Sequence, residues 1–120
     1  THADPVFAAA IGVFILPRAW RLGRRSLRIL LQAAPEGLDI DAMKARLGNI
    51  GGVLDVHDLH VWTLTSEMDV ATLHLVTAEG TAAHPILDEA RELLQDEYGI
   101  AHATLQVEPD THSGCAELTW

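Results

Sequence analysis

Val53-Leu54-Asp55-Val56-His57-Asp58-Leu59-His60-Val61-Trp62-Thr63-Leu64-Thr65 alternates apolar and polar residues, and Val70-Ala71-Thr72-Leu73-His74-Leu75-Val76-Thr77 does the same a few positions on. Period-two runs rich in β-branched residues read as half-buried strands, and Ser66-Glu67-Met68-Asp69 between them reads as a hairpin turn. His102 to Glu108 alternates as a third strand. Helical segments flank these runs. Asp39 is placed to cap a helix whose apolar face is Ile40, Met43, Leu47 and Ile50, ended by Gly51-Gly52. Pro85 suits the first turn of another helix, which buries Ile86, Ala90, Leu93, Leu94 and Tyr98 and closes at Gly99. The order helix, strand, strand, helix, strand predicts a small α+β sandwich with two helices over one face of a three-stranded sheet.

Strand parity then decides which polar side chains can cooperate. Regular alternation places His57, Leu59, Val61 and Thr63 on one face and Asp58, His60, Trp62 and Leu64 on the other. His57 and His60 would then be unable to chelate one ion. On the second strand Leu73 and Leu75 face the core while Thr72, His74 and Val76 face away. On the third, Ala103, Leu105 and Val107 face the core and His102, Thr104, Gln106 and Glu108 face out. His74, Gln106 and Glu108 can converge on the helix-free face, and His57, near the start of its strand, can join them. Histidine is the commonest side-chain metal ligand, and two imidazoles, a carboxylate and a water satisfy a tetrahedral zinc ion at ~2.0–2.2 Å per ligand. His84, just before a helix, is either a third ligand or a helix-entry residue. His60 and Trp62 read as packing or interface residues, and His102 as a weaker ligand candidate. His112 and Cys115 form an HxxC that offers an auxiliary ligand, and His2 carries no reading.

Composition narrows the chemistry. Arg18, Arg21, Arg24, Arg25 and Arg28 are five of the eight basic residues, and sixteen of the seventeen acidic residues follow from Glu36 onward. The acidic part would repel a nucleic-acid backbone but attract divalent cations, although the same charge also serves ordinary solubility. Cys115 is the only cysteine, so no intrachain disulfide or CxxC thiolate site exists, and a reducing compartment is expected. Nitrogen and oxygen ligands favour zinc, with cobalt, cadmium, manganese and iron as further candidates, over cuprous copper. Nucleophilic catalysis has no support: there is no GxSxG elbow and no glycine-rich phosphate loop.

Upstream, Val6 to Leu16 is apolar throughout and Trp20 and the arginines follow. This looks like the end of a membrane helix with an interfacial anchor and a positive-inside flank, continuing into a basic helix whose arginines can reach lipid headgroups. The alternative is a buried amphipathic helix in a soluble protein. Pro35-Glu36-Gly37 marks the natural boundary before the sandwich. The chain opens at Thr1 and is expected to be part of a longer protein.

Ala3-Asp4-Pro5, Ile15-Leu16-Pro17-Arg18-Ala19-Trp20-Arg21-Leu22, His57-Asp58-Leu59-His60-Val61-Trp62 and Thr104-Leu105-Gln106-Val107-Glu108 resemble the cation diffusion facilitator family, especially its bacterial zinc/cobalt/cadmium efflux members and the related animal zinc transporters. The resemblance implies a last transmembrane helix followed by a cytoplasmic domain with a metallochaperone-like (ferredoxin-like) αββαβ fold, in a homodimer that exchanges zinc for protons. It implies residues 1–20 as the helix end, 21–35 as a basic cytoplasmic linker helix, 36–109 as the metal-binding domain and 110–120 as a flexible tail. It further implies an inner-membrane location, with the chain from about residue 21 onward in the cytoplasm. By position, His57, His74 and Glu108 look like cytoplasmic zinc ligands and His84 like a ligand donated across the dimer. Gln106 stands where some relatives carry histidine. The helices that hold the family's transport site are not in this chain, so the segment would not transport by itself. The expected role is therefore regulatory and not enzymatic: a zinc-binding, dimerising domain of an efflux antiporter. The competing expectations are a soluble ligand-sensing or oligomerisation module without metal, and a small metal-dependent hydrolase.

Overall fold

The computed structural model describes residues 3–112, so His2 and Cys115 lie outside the described residues, as does most of the segment expected to be a tail. α1 (Ala3–Leu30) is one continuous helix that passes through Pro17, although proline removes one i→i−4 hydrogen bond. None of its residues is buried, and with this helix included the described residues extend over 82 × 29 × 18 Å. The remainder comprises α2 (Ile40–Gly48), β1 (Val53–Thr65), β2 (Met68–Thr77), α3 (Ala83–Tyr98) and β3 (His102–Pro109). This is the expected α+β sandwich.

Local chemistry sets the helix ends. The Asp39 side chain accepts a 2.9 Å hydrogen bond from the Ala42 N–H, capping α2. Gly99 closes α3 at φ +71°, donating to the Gln95 carbonyl while Ile100 donates to that of Leu94. At Gly52 (φ +94°) a Cβ would stand 3.2 Å from Ile86 Cδ1, so glycine meets both a backbone and a packing demand there.

The sheet order is β1-β2-β3, with β1 antiparallel to β2 and β3 parallel to β2. A parallel neighbour needs a crossover, and α3 supplies it. The core lies between the helices and one sheet face: Met43 and Leu47 from α2, Ile86, Ala90 and Leu94 from α3, against Val56, Val61, Ala71, Leu73 and Leu75. Fully burying each large aliphatic side chain contributes about 1.5–3 kcal/mol.

β1 departs from the regular alternation expected of it. Its pairing runs His57↔His74 and then His60↔Thr72, so β1 spends one extra residue where β2 spends none. This is a β-bulge, and Asp58 within it adopts φ +49°, a left-handed conformation that aspartate tolerates better than most residues. The bulge reverses parity. Val56 packs in the core before it, and Leu59 and Val61 pack there after it. His57, opposite His74, and His60, opposite Thr72, therefore share the helix-free face, correcting the expectation that they lie on opposite faces.

One exposed pair links the two helices. Arg46 donates through two nitrogens to the Glu97 carboxylate. That hydrogen bonding holds the Glu97 carboxyl below the usual carboxylate range and raises the Arg46 guanidinium. A depressed carboxyl favours the fold above its unfolded pKa and loses that contribution as pH falls through its folded value. Solvent screening keeps the contribution small. Leu75→Ala is expected to lower unfolding stability by about 2–5 kcal/mol in urea titrations, whereas Glu97→Gln leaves the midpoint nearly unchanged.

Candidate metal centre

Three side chains from three strands meet on the helix-free face. The bulge brings His57 beside His74 across the antiparallel pair, and the parallel register sets Glu108 next to Val76, one pleat along from His74. The His57 and His74 ring centroids are 5.1 Å apart with planes tilted by 58°. His57 Nε2 lies 2.7 Å from Glu108 Oε1, and His74 Nδ1 lies 3.4 Å from the same oxygen. Among the described residues, neither nitrogen has a hydrogen-bond partner of acceptable angle despite these short separations.

Their ligating atoms all fall within 4.8 Å of one another, and among the described residues they form the group of three able to hold an ion. Ligands at ~2.0–2.2 Å on a tetrahedron stand roughly 3.3–3.6 Å apart, so modest side-chain movement accommodates zinc. The donor set, two imidazole nitrogens and a carboxylate oxygen, suits that ion and leaves one position open. His57 and Glu108 are 8% and 5% exposed, respectively, and His74 is half-buried. A buried carboxylate beside two imidazoles is costly in isolation, and a divalent cation between them offsets that cost. Asp55 Oδ2 stands 3.8 Å from His57 Nδ1, beyond hydrogen-bond range but placed to favour the proton on Nδ1 and leave Nε2 as the ligating atom.

The other candidates are apart from this cluster. His84 is exposed in the first turn of α3, and the side chain of Gln106, opposite His74, is exposed on the same face as the cluster. His60 is exposed, His102 begins β3 opposite Val70, and His112 is exposed. Sequence reasoning missed the bulge. The signal was available in Val56 and Val61: apolar residues five apart cannot share a face in regular alternation.

Comparison with known proteins places the chain in a family. The profile of the ZT_dimer family, "Cation efflux protein, cytoplasmic domain", matches residues 35–110. The metal cation efflux system protein CzcD of Cupriavidus metallidurans is 37% identical over 108 residues, covering 88% of this chain and 34% of that protein. The zinc transporter ZitB of Escherichia coli (strain K12) is 38% identical over 119 residues, covering 93% of this chain and 38% of that protein. The metal-bound C-terminal domain of the CzcD transporter superposes with a TM-score of 0.56 at 32% identity, covering 59% of this chain and 99% of the domain. The chain thus spans little more than a third of the length of the curated relatives it matches. It belongs to the cation efflux family.

The bulge makes the centre depend on Asp58. Asp58→Val is expected to cost about 1–2 kcal/mol of unfolding stability, because a β-branched residue resists left-handed backbone, while Asp58→Asn stays within about 0.5 kcal/mol. Denaturant unfolding of the two variants side by side distinguishes them; equal losses would mean that the conformation at 58 is not what the substitution disturbs.

Proposed function

We propose that this member of the cation efflux family is the carboxy-terminal part of a zinc (divalent cation) efflux cation/proton antiporter. In this reading α1 ends the last membrane helix, with residues 1–20 in or at the bilayer and 21–35 as a basic linker against lipid. Residues 36–109 form a cytoplasmic domain that binds zinc, pairs with a second copy and regulates transport. The convergence of His57, His74 and Glu108 carries the proposal. Zinc is the first choice of ion, with cobalt, cadmium, manganese and iron as further ones on donor chemistry. His84, exposed at the start of α3, is free to complete the open position from a second copy.

The exposed face of α1 supports the membrane reading. Val6, Phe7, Val13, Phe14 and Leu16 are each at least 66% exposed, and an apolar stretch of 18 residues in this helix has no buried residue. A soluble module would have to cover this helix, and the sandwich does not. The hydrolase reading requires a general base beside an open metal position in a pocket, whereas Glu108, the carboxylate at hand, stands among the ligands.

Mechanistically, the domain is strongly acidic, and two copies repel. Zinc held by neutral imidazoles and a carboxylate cancels local negative charge and, with a ligand from the partner copy, links the pair. If the closed pair binds zinc more tightly, zinc shifts the population toward it. A zinc titration of the chain in neutral detergent by calorimetry, with mass followed by light scattering, tests this. Saturable binding is expected, weakened at least about tenfold in His57→Ala and in His74→Ala. His84→Ala is expected to reduce zinc-driven pairing. Imidazole must release its proton to bind metal, so affinity is expected to fall as pH is lowered from about 7.5 to about 5.5. No saturable binding, or affinity independent of pH over that range, contradicts the imidazole site.

A further inference from the structure

The arginines after the apolar part of α1 do not simply point into solvent. Arg21, Arg24, Arg25 and Arg28 line a cleft of about 610 Å³ between α1 and the β1–β2 hairpin, closed on the hairpin side by Thr63 and Ser66. Two of the four are used to hold the cleft's shape: Arg25 donates to the Ser66 carbonyl, and Arg28 donates to the Ala34 carbonyl and pairs with Glu36 at 3.3 Å. Among the described residues, the Arg21 and Arg24 side chains have neither an ion pair nor a hydrogen bond. The cleft's two carboxylates are already occupied, Glu36 by Arg28 and Asp69 by the Thr63 hydroxyl at 2.7 Å. Four guanidinium groups against two engaged carboxylates leave a net positive concavity, which suits an anion rich in oxygen acceptors.

A second, apolar groove adjoins it. Leu16, Ala19, Trp20, Gly23 and Leu27 line about 460 Å³ along α1, and Arg24 borders both this groove and the basic cleft. Trp20 is 74% exposed, one helical turn from Arg24, which at 1.5 Å per residue is about 6 Å along the axis. A charged pocket and an apolar groove sharing one arginine match a molecule with a phosphate ester at one end and hydrocarbon at the other. The geometry points to a binding site for the headgroup of an anionic phospholipid, its phosphate held by Arg21 and Arg24 and its acyl chain lying along the Leu16–Trp20 end of the groove. This inference rests on the reading of α1 as a membrane helix and goes beyond it: it assigns a lipid class and a site. An occupied cleft would tie α1 to the hairpin whose strands carry His57 and His74, so lipid composition would bear on the metal-binding domain's position.

Native mass spectrometry of the full chain released from neutral detergent tests the site. Phosphatidylglycerol, phosphatidylcholine and inorganic phosphate are added separately, and phosphate is also added as a competitor. The chain is expected to retain phosphatidylglycerol at least about tenfold better than phosphatidylcholine, since each arginine near an anionic headgroup is worth about 1 kcal/mol. That preference is expected to collapse in Arg21→Gln/Arg24→Gln and to persist in Arg18→Gln, which lies outside the cleft. Unchanged zinc binding by the double variant shows that the domain remains folded. Equal retention of the two lipids, or an undiminished preference in the double variant, overturns the site. Displacement of the lipid by millimolar inorganic phosphate assigns the cleft to a soluble anion and overturns the lipid assignment. A chain that stays outside micelles and bilayers overturns the membrane reading together with the site, whereas insertion without headgroup preference overturns the site alone.

Discussion

Val56 and Val61 both pack in the core although they stand five positions apart in one strand, and regular alternation would put them on opposite faces. The molecule resolves the conflict with one extra residue between His57 and His60 and a left-handed backbone at Asp58. Everything at the candidate centre depends on that local adjustment. With the bulge, β1 keeps its aliphatic residues under the helices on both sides of the break and still presents His57 to His74. Without it, either His57 would turn into the hydrophobic layer or Val61 would turn out of it. The backbone cost at Asp58 is offset by aliphatic burial, which at about 1.5–3 kcal/mol per large side chain exceeds it.

The sandwich and the centre divide the work between two faces of one sheet. The helix side is closed by aliphatic packing from α2 and α3. The open side brings two imidazoles and a carboxylate within 4.8 Å of one another. The three side chains come from three different strands, so ladder register fixes their relative positions.

Much of this was legible in the residues, and the limits have physical causes. β2 and β3 are regular, so their parity could be read directly, and His74 and Glu108 fell on the expected face beside Gln106. The Asp39 cap, the Gly99 stop and the apolar face of α3 were readable because each rests on local chemistry. The orientation of His57 was not, because a bulge depends on where a strand's aliphatic residues must go in three dimensions. The parallel pairing of β3 with β2 was likewise hidden, since crossover geometry is not local. The arginines announced a boundary between apolar and aqueous surroundings, but not the cleft they build against the β1–β2 hairpin, for that needs residues 41 positions apart to meet.

In the proposed reading, two imidazoles and one carboxylate of this face bind the ion. Zinc K-edge X-ray absorption on the zinc-loaded chain tests it most directly. The expected spectrum shows a shell of nitrogen and oxygen at ~2.0–2.2 Å with outer scattering from at least two imidazole rings, reduced by one ring in His57→Ala. A sulfur neighbour at ~2.3 Å, which only Cys115 could supply among the cysteines, or a shell lacking imidazole scattering, would contradict it.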